Sequence, residues 1–141
     1  MANDVVMVKG LVEVPQPEVA LILEAGYLLM ELGKWKEAQE VFGGASALVP
    51  HSDVPHIALG NLLFAQGKFQ AALKAHKDAL AVDPKSQLAR AHVGECLLFL
   101  KKFEEGKAEL EKAIAQDPGS VAATFAKSLL EAHDVGVFDK V

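Results

Sequence analysis

The side chains of this chain that could do metal, nucleophilic or directed hydrogen-bonding chemistry are few: His51, His56, His76, His92 and His133, the lone Cys96, and the polar trio Tyr27, Asn61 and Glu95. No two histidines stand four residues apart, and neither a His-Glu-x-x-His motif nor a Cys/His cluster occurs. No metal site is expected, because the spacings that seat two ligands together on one helical face are missing. Cys96 has no Lys or Arg beside it in sequence to draw the thiol toward thiolate, so it reads as a small packing residue rather than a nucleophile. His92 shares a helical face with Glu95 and could titrate near neutral pH, but a solvated or hydrogen-bonded histidine is the plainer reading. The residue pattern leaves no strand, hence no strand followed by a glycine-rich phosphate loop, and nucleotide binding is not expected. These absences point away from an enzyme and away from any metal or cofactor.

Composition narrows the classes further. The chain has 141 residues, 51% of them hydrophobic and 23% charged, enough to bury one core. A formal charge of -5, with Arg90 as the single arginine, leaves no basic stripe for nucleic acid, and the seven Phe are spaced for helix packing rather than interleaved with cations. The first residues carry Asp4, one Lys9, Pro15 and Pro17, with neither a basic n-region nor a cleavage site, so no signal peptide is expected. Glu, Lys, Gln or Asp interrupts every apolar run before it could cross a membrane, and a soluble chain without membrane attachment is expected. A single cysteine favours a reducing compartment, so the expected location is cytoplasmic.

The elements that must position these side chains announce themselves by repetition. Leu-Gly-Lys-Trp-Lys-Glu-Ala (32–38), Gln-Gly-Lys-Phe-Gln-Ala-Ala (66–72) and Leu-Lys-Lys-Phe-Glu-Glu-Gly (100–106) recur every 34 residues. In a register of 19–52, 53–86 and 87–120, small residues recur at the eighth position (Gly26, Gly60, Gly94) and the twentieth (Ala38, Ala72, Gly106). An aromatic recurs at the seventeenth (Trp35, Phe69, Phe103), and a proline at the thirty-second (Pro50, Pro84, Pro118). Small residues let two helices approach, the aromatic fills the space beside them, and proline ends the second helix. The third repeat departs in having Lys101 for the turn glycine, and the second has His76 where an aromatic is usual. Apolar spacings of three and four, as in Leu59, Leu62, Leu63 and Phe64, select helix over strand. Gly43 and Gly44 fall inside a predicted second helix, which implies either close helix approach or a kink.

These three repeats resemble the tetratricopeptide repeat family over about three quarters of the chain. The resemblance implies an all-α fold: a right-handed superhelical array of three tetratricopeptide helix-turn-helix repeats plus a C-terminal capping helix. Residues 1–18 then form an N-terminal extension, and 121–141 a capping helix over Val121 to His133 followed by a tail expected to fray. The apolar segment Val5, Val6, Met7, Val8, Leu11, Val12 and Val14 either packs back on the first repeat, or occupies the groove or mediates self-association.

In this family the concave face is built from the second, fifth, ninth, twelfth and thirteenth residues of each first helix. Here these are Ala20, Leu23, Tyr27, Met30 and Glu31; Val54, Ile57, Asn61, Phe64 and Ala65; and Leu88, Ala91, Glu95, Leu98 and Phe99. The candidate partner-binding residues are Leu23, Tyr27, Met30, Ile57, Asn61, Phe64, Leu88, Glu95 and Leu98, an apolar channel with Tyr27, Asn61 and Glu95 as a polar ladder for a peptide backbone. The cationic clamp by which some family members hold a C-terminal carboxylate is missing, since its positions are taken by Leu23, Tyr27, Ala58, Leu88 and His92.

The small array, its apolar concave face and the stretch Ala-His-Val-Gly-Glu-Cys-Leu-Leu (91–98) also resemble the tetratricopeptide chaperones of bacterial type III secretion systems. That resemblance implies a chaperone holding an apolar segment of a secretion substrate. The alternatives are a scaffold or adaptor in another assembly, and a self-associating protein whose partner is its own copy.

Overall fold

The computed structural model describes residues 6–8, 12–14 and 17–141. Two strands, β1 (Val6–Val8) and β2 (Val12–Val14), precede seven helices: α1 (Pro17–Glu31), α2 (Trp35–Leu48), α3 (Val54–Ala65), α4 (Phe69–Val82), α5 (Gln87–Phe99), α6 (Phe103–Gln116) and α7 (Val121–Asp134). A single 3₁₀ turn, Val137–Asp139, follows. The helices form three pairs, α1–α2, α3–α4 and α5–α6, and each pair packs on the next. The first helices also meet one another, α1 with α3 and α5 with α7, which puts them on the inner side of the array.

Within each pair the eighth-position glycine lies directly beneath the twenty-fourth-position side chain. A Cβ built on Gly26 would stand 2.3 Å from the Phe42 ring, one on Gly60 2.4 Å from the His76 ring, and one on Gly94 2.6 Å from Leu110. No real Cβ tolerates these separations, so the helix pairs close to this distance only because glycine is there. Ala38 and Ala72 at the twentieth position are fully buried on the facing helix, and Gly106 replaces them in the third pair, where its missing Cβ would meet Leu98 at 3.0 Å.

The turns between paired helices need one left-handed residue. Gly33 and Gly67 supply φ of 74° and 76° without strain, whereas Lys101 adopts φ 66° as a non-glycine residue. Its side chain has a task there, because the Lys101 ammonium donates to the carbonyl of Phe138. Between repeats, Ser86 and Ser120 cap α5 and α7 by accepting from the Ala89 and Ala123 amides at 3.3 and 3.0 Å. Ser86 also donates to Asp53 at 2.5 Å, tying the end of the second repeat to its beginning.

The structure departs from the sequence expectations in three places. The N-terminal segment contains strands: β1 pairs antiparallel with β2, Val6 opposite Val14 and Val8 opposite Val12, and both strands contact α1. Alternating β-branched valines favour the extended chain, and residues 1–5, 9–11 and 15–16 lie outside the described residues. The tail docks where it was expected to fray. Phe138 is 3% exposed and meets Phe99 edge-on at 5.1 Å. Finally, Gly43 and Gly44 mark no close helix approach, since a Cβ at either position would face open space while α2 runs on to Leu48. The capping role of α7 is visible in its outward residues Thr124, Lys127, Ser128 and Glu131, all exposed.

Two stability predictions follow from the packing. Gly60→Ala should lose about 2 kcal/mol, because overpacking against His76 outweighs the gain in helix propensity, whereas Gly43→Ala should gain about 1 kcal/mol; urea unfolding of each variant measures both. His76 is fully buried, and burial chiefly, with His92 beside it, lowers its pKa from 6.5 to about 2. The unfolded chain therefore binds a proton that the folded chain refuses, so this contribution is intact above pH 6.5 and fades as pH falls toward 2. It should weaken the fold by about 2 kcal/mol between pH 7 and pH 5. His76→Phe should flatten the pH dependence of the unfolding midpoint by that amount, and an unchanged dependence would refute the assignment.

Candidate functional site: the inner face of the array

The inner face is assembled from single-turn steps along α1, α3, α5 and α7, so each residue's role depends on how deeply the next repeat covers it. Six of the nine candidate residues remain half-buried and accessible there: Tyr27, Met30, Asn61, Phe64, Leu88 and Glu95. The other three do not. Leu23, Ile57 and Leu98 are 0%, 1% and 0% exposed and are core residues, a correction to their expected place on the groove. Leu23 joins the cluster around Ala38, Phe42 and Ala58, Ile57 joins Ala79 and Ala89, and Leu98 joins Leu110 and Ala126. Two of them stand at the fifth position, which turns toward the neighbouring repeat and is sealed by it.

Of the three expected rungs of the polar ladder, Tyr27 and Asn61 are joined to each other and Glu95 is engaged elsewhere. Asn61 Nδ2 donates to the Tyr27 hydroxyl at 3.1 Å, joining the first two repeats across the inner face. Burial raises the Tyr27 pKa, against the Asn61 hydrogen bond, which lowers it. Tyr27 also meets Phe42 edge-on at 5.2 Å. Glu95 does not continue this ladder. Its Oε1 is 3.0 Å from Nδ1 of His92, one turn back on α5.

His92 links a stack that sequence reasoning did not foresee. Its ring lies nearly parallel to His76 at 4.6 Å and tilted against Phe125 at 5.0 Å, spanning α4, α5 and α7. Neither ring nitrogen of His76 has a hydrogen-bond partner among the described residues, so the imidazole serves there as the aromatic disc that Phe42 supplies in the first repeat. Phe125 lines the inner face beside them, and the 34-residue register could have located it: it is the fifth residue of a fourth first helix beginning at Val121. With Leu88, His92 and Val121 it walls a recess of about 70 Å³.

At the turn edge, Phe64, Phe69 and Phe99 form a triangle with centroids 4.8 to 5.0 Å apart. These side chains offer apolar contact rather than reactive groups. Burial pushes the Cys96 thiol up to about 12, where it is neither nucleophile nor ligand at neutral pH. Among the described residues no three His, Cys, Asp or Glu side chains come together as a metal site.

Comparison with known proteins bears on the fold. Residues 63–130 match the tetratricopeptide repeat family. No curated protein matches the chain. Among solved structures, PcrH from Pseudomonas aeruginosa superposes with a TM-score of 0.71 at 21% identity, covering 84% of this chain and 93% of that one. The Yersinia enterocolitica type III secretion chaperone SycD, in complex with a peptide of the translocator YopD, gives 0.70 at 21% identity, covering 85% and 95%. The second tetratricopeptide domain of human RPAP3, in complex with an HSP70 peptide, gives 0.66 at 22% identity, covering 81% and 96%. Paired helices, the glycine beneath each twenty-fourth-position side chain and these superpositions together make the chain a protein of tetratricopeptide-repeat fold.

Proposed function

We infer that this chain is a non-catalytic binding module that holds an apolar peptide or helical segment of another protein along the inner face, in the manner of a type III secretion chaperone. The observation that carries this reading is the row of half-buried apolar side chains Met30, Phe64, Leu88, Phe99 and Phe125 along four successive first helices. Half-buried side chains of this kind are held in place by their neighbours, so little ordering entropy is lost when a partner arrives, and each can cover an apolar anchor. The likeness to SycD, whose solved complex holds a translocator peptide, supports the secretion role, and a cytoplasmic location belongs to the same proposal. The tetratricopeptide domain of RPAP3 bound to an HSP70 peptide superposes nearly as well, with a TM-score of 0.66 against 0.70. Acceptance of such acidic C-termini is not part of the proposal, because clamp positions here hold Leu23, Tyr27, Ala58, Leu88 and His92.

A second reading, self-association, has its own observation. Leu21, Leu28 and Leu32 are 72%, 55% and 62% exposed, and with exposed Ala25 they form one stripe along α1 that Leu32 continues just past its C-terminal end. In an antiparallel pairing of two copies, Leu21 would face Leu32 and Ala25 would face Leu28, the self-complementarity that a two-fold axis demands.

The two readings separate by experiment. A photo-crosslinking residue at Met30 or Leu88 should capture a partner segment that aggregates alone and stays soluble with this chain, whereas the same residue at Lys74 on α4 should not; equal capture at Lys74, or a partner soluble alone, would reject the chaperone reading. Sedimentation should show any dimer of the wild type lost in Leu28→Glu, and a monomeric wild type at high concentration would dismiss self-association.

A further inference from the structure

The distribution of charge over the repeats says more about the occupant than the apolar row does. α1 and α3 contain no Lys or Arg at all, while α5 and α7 contain one each. Neither of those two serves the inner face. Arg90 is bound to Glu109 of α6 at 2.8 Å and to Gln116 at 3.2 Å, and Lys127 is exposed and reaches the Pro118 carbonyl at 3.1 Å. The other described lysines lie on the second helices, in the turns or in the C-terminal tail. Among the described residues, the first helices therefore bring no Lys or Arg side chain to the inner face, and the field of a carboxylate there repels anions and draws cations.

One carboxylate has a defined position within that field. Glu95 has a side chain only 15% exposed, is oriented by His92, and sits one helical turn from the recess walled by Leu88, His92, Val121 and Phe125. In such a partly desolvated place an incoming cation is attracted more strongly than at open surface. Apolar recess and carboxylate share His92, which walls the one and hydrogen-bonds the other, so they form a single two-point feature.

We propose that the groove selects an internal segment of its partner carrying Lys or Arg within about one helical turn of an aliphatic anchor, the anchor entering the Leu88–Phe125 recess and the cation meeting Glu95. This proposal rests on the groove-binding reading above and adds the chemistry of its occupant. A free C-terminal carboxylate is the opposite of what this face accepts, and a purely apolar segment would use only half of it.

The test is a selection from a random-peptide library displayed between two folded flanks, so that no free terminus is offered, on the full chain and on Glu95→Gln with its fold checked by circular dichroism. Wild type should enrich peptides with Lys or Arg near Leu, Ile or Val, and Glu95→Gln should lose that basic bias while still enriching apolar peptides. A selected peptide remade with Lys→Glu should bind about tenfold more weakly at low salt, and the difference should shrink at high salt. Apolar peptides enriched without basic bias, or a bias that survives Glu95→Gln, would overturn this proposal and leave the groove reading standing. No enrichment at all would overturn both.

Discussion

Everything in this molecule depends on one contact made three times: a glycine on each first helix with a large side chain of the second helix resting where its Cβ would be. Gly26 under Phe42, Gly60 under His76 and Gly94 under Leu110 set the distance between paired helices. That distance decides how the next pair stacks and how far the first helices are drawn toward one another on the inner face. The contact tolerates a change of ring chemistry more readily than a change of backbone separation. A histidine can fill the place of a phenylalanine in the second repeat, at the cost of burying two unpartnered nitrogens and suppressing its own protonation.

The inner face inherits its character from this packing. Tight pairing draws the fifth-position side chains Leu23 and Ile57 into the core, and Leu98 with them, leaving Tyr27, Met30, Asn61, Phe64, Leu88 and Glu95 as the accessible surface. There the polar groups hold one another, Asn61 with Tyr27 and Glu95 with His92, so the surface is shaped before any partner arrives. Preorganisation of this kind lowers the entropy lost on binding. It also makes the polar side chains selective, since an occupant must improve on an existing hydrogen bond or add to it.

The two ends of the array are treated differently. At the C-terminal end α7 turns Thr124, Lys127, Ser128 and Glu131 to solvent, and Phe138 closes the core beneath Phe99 with the help of the Lys101 ammonium. Lys101 holds a left-handed backbone that glycine would adopt more easily, so the tether offsets a local strain. At the other end α1 carries the β1–β2 pair on part of its surface and still exposes Leu21, Leu28 and Leu32.

The sequence by itself determined the helix pairs, their 34-residue period, the turns at Gly33 and Gly67 and the polar outer face of α7. These are local or nearest-neighbour constraints: a glycine, a ring or a proline has its effect on the residues one or two turns away, and its type records that effect directly. Only the tertiary structure decided that Leu23, Ile57 and Leu98 are core, that Tyr27 and Asn61 are bonded to each other, that His76 stacks on His92, and that Phe138 docks. Those outcomes rest on contacts between residues 12 to 39 positions apart, whose partners are set by the crossing of helices rather than by the spacing of residues along any one of them. The β1–β2 pairing was not legible for a related reason: a short valine-rich segment has no period of its own long enough to distinguish strand from helix, and its conformation is settled by pairing and by the α1 surface it contacts.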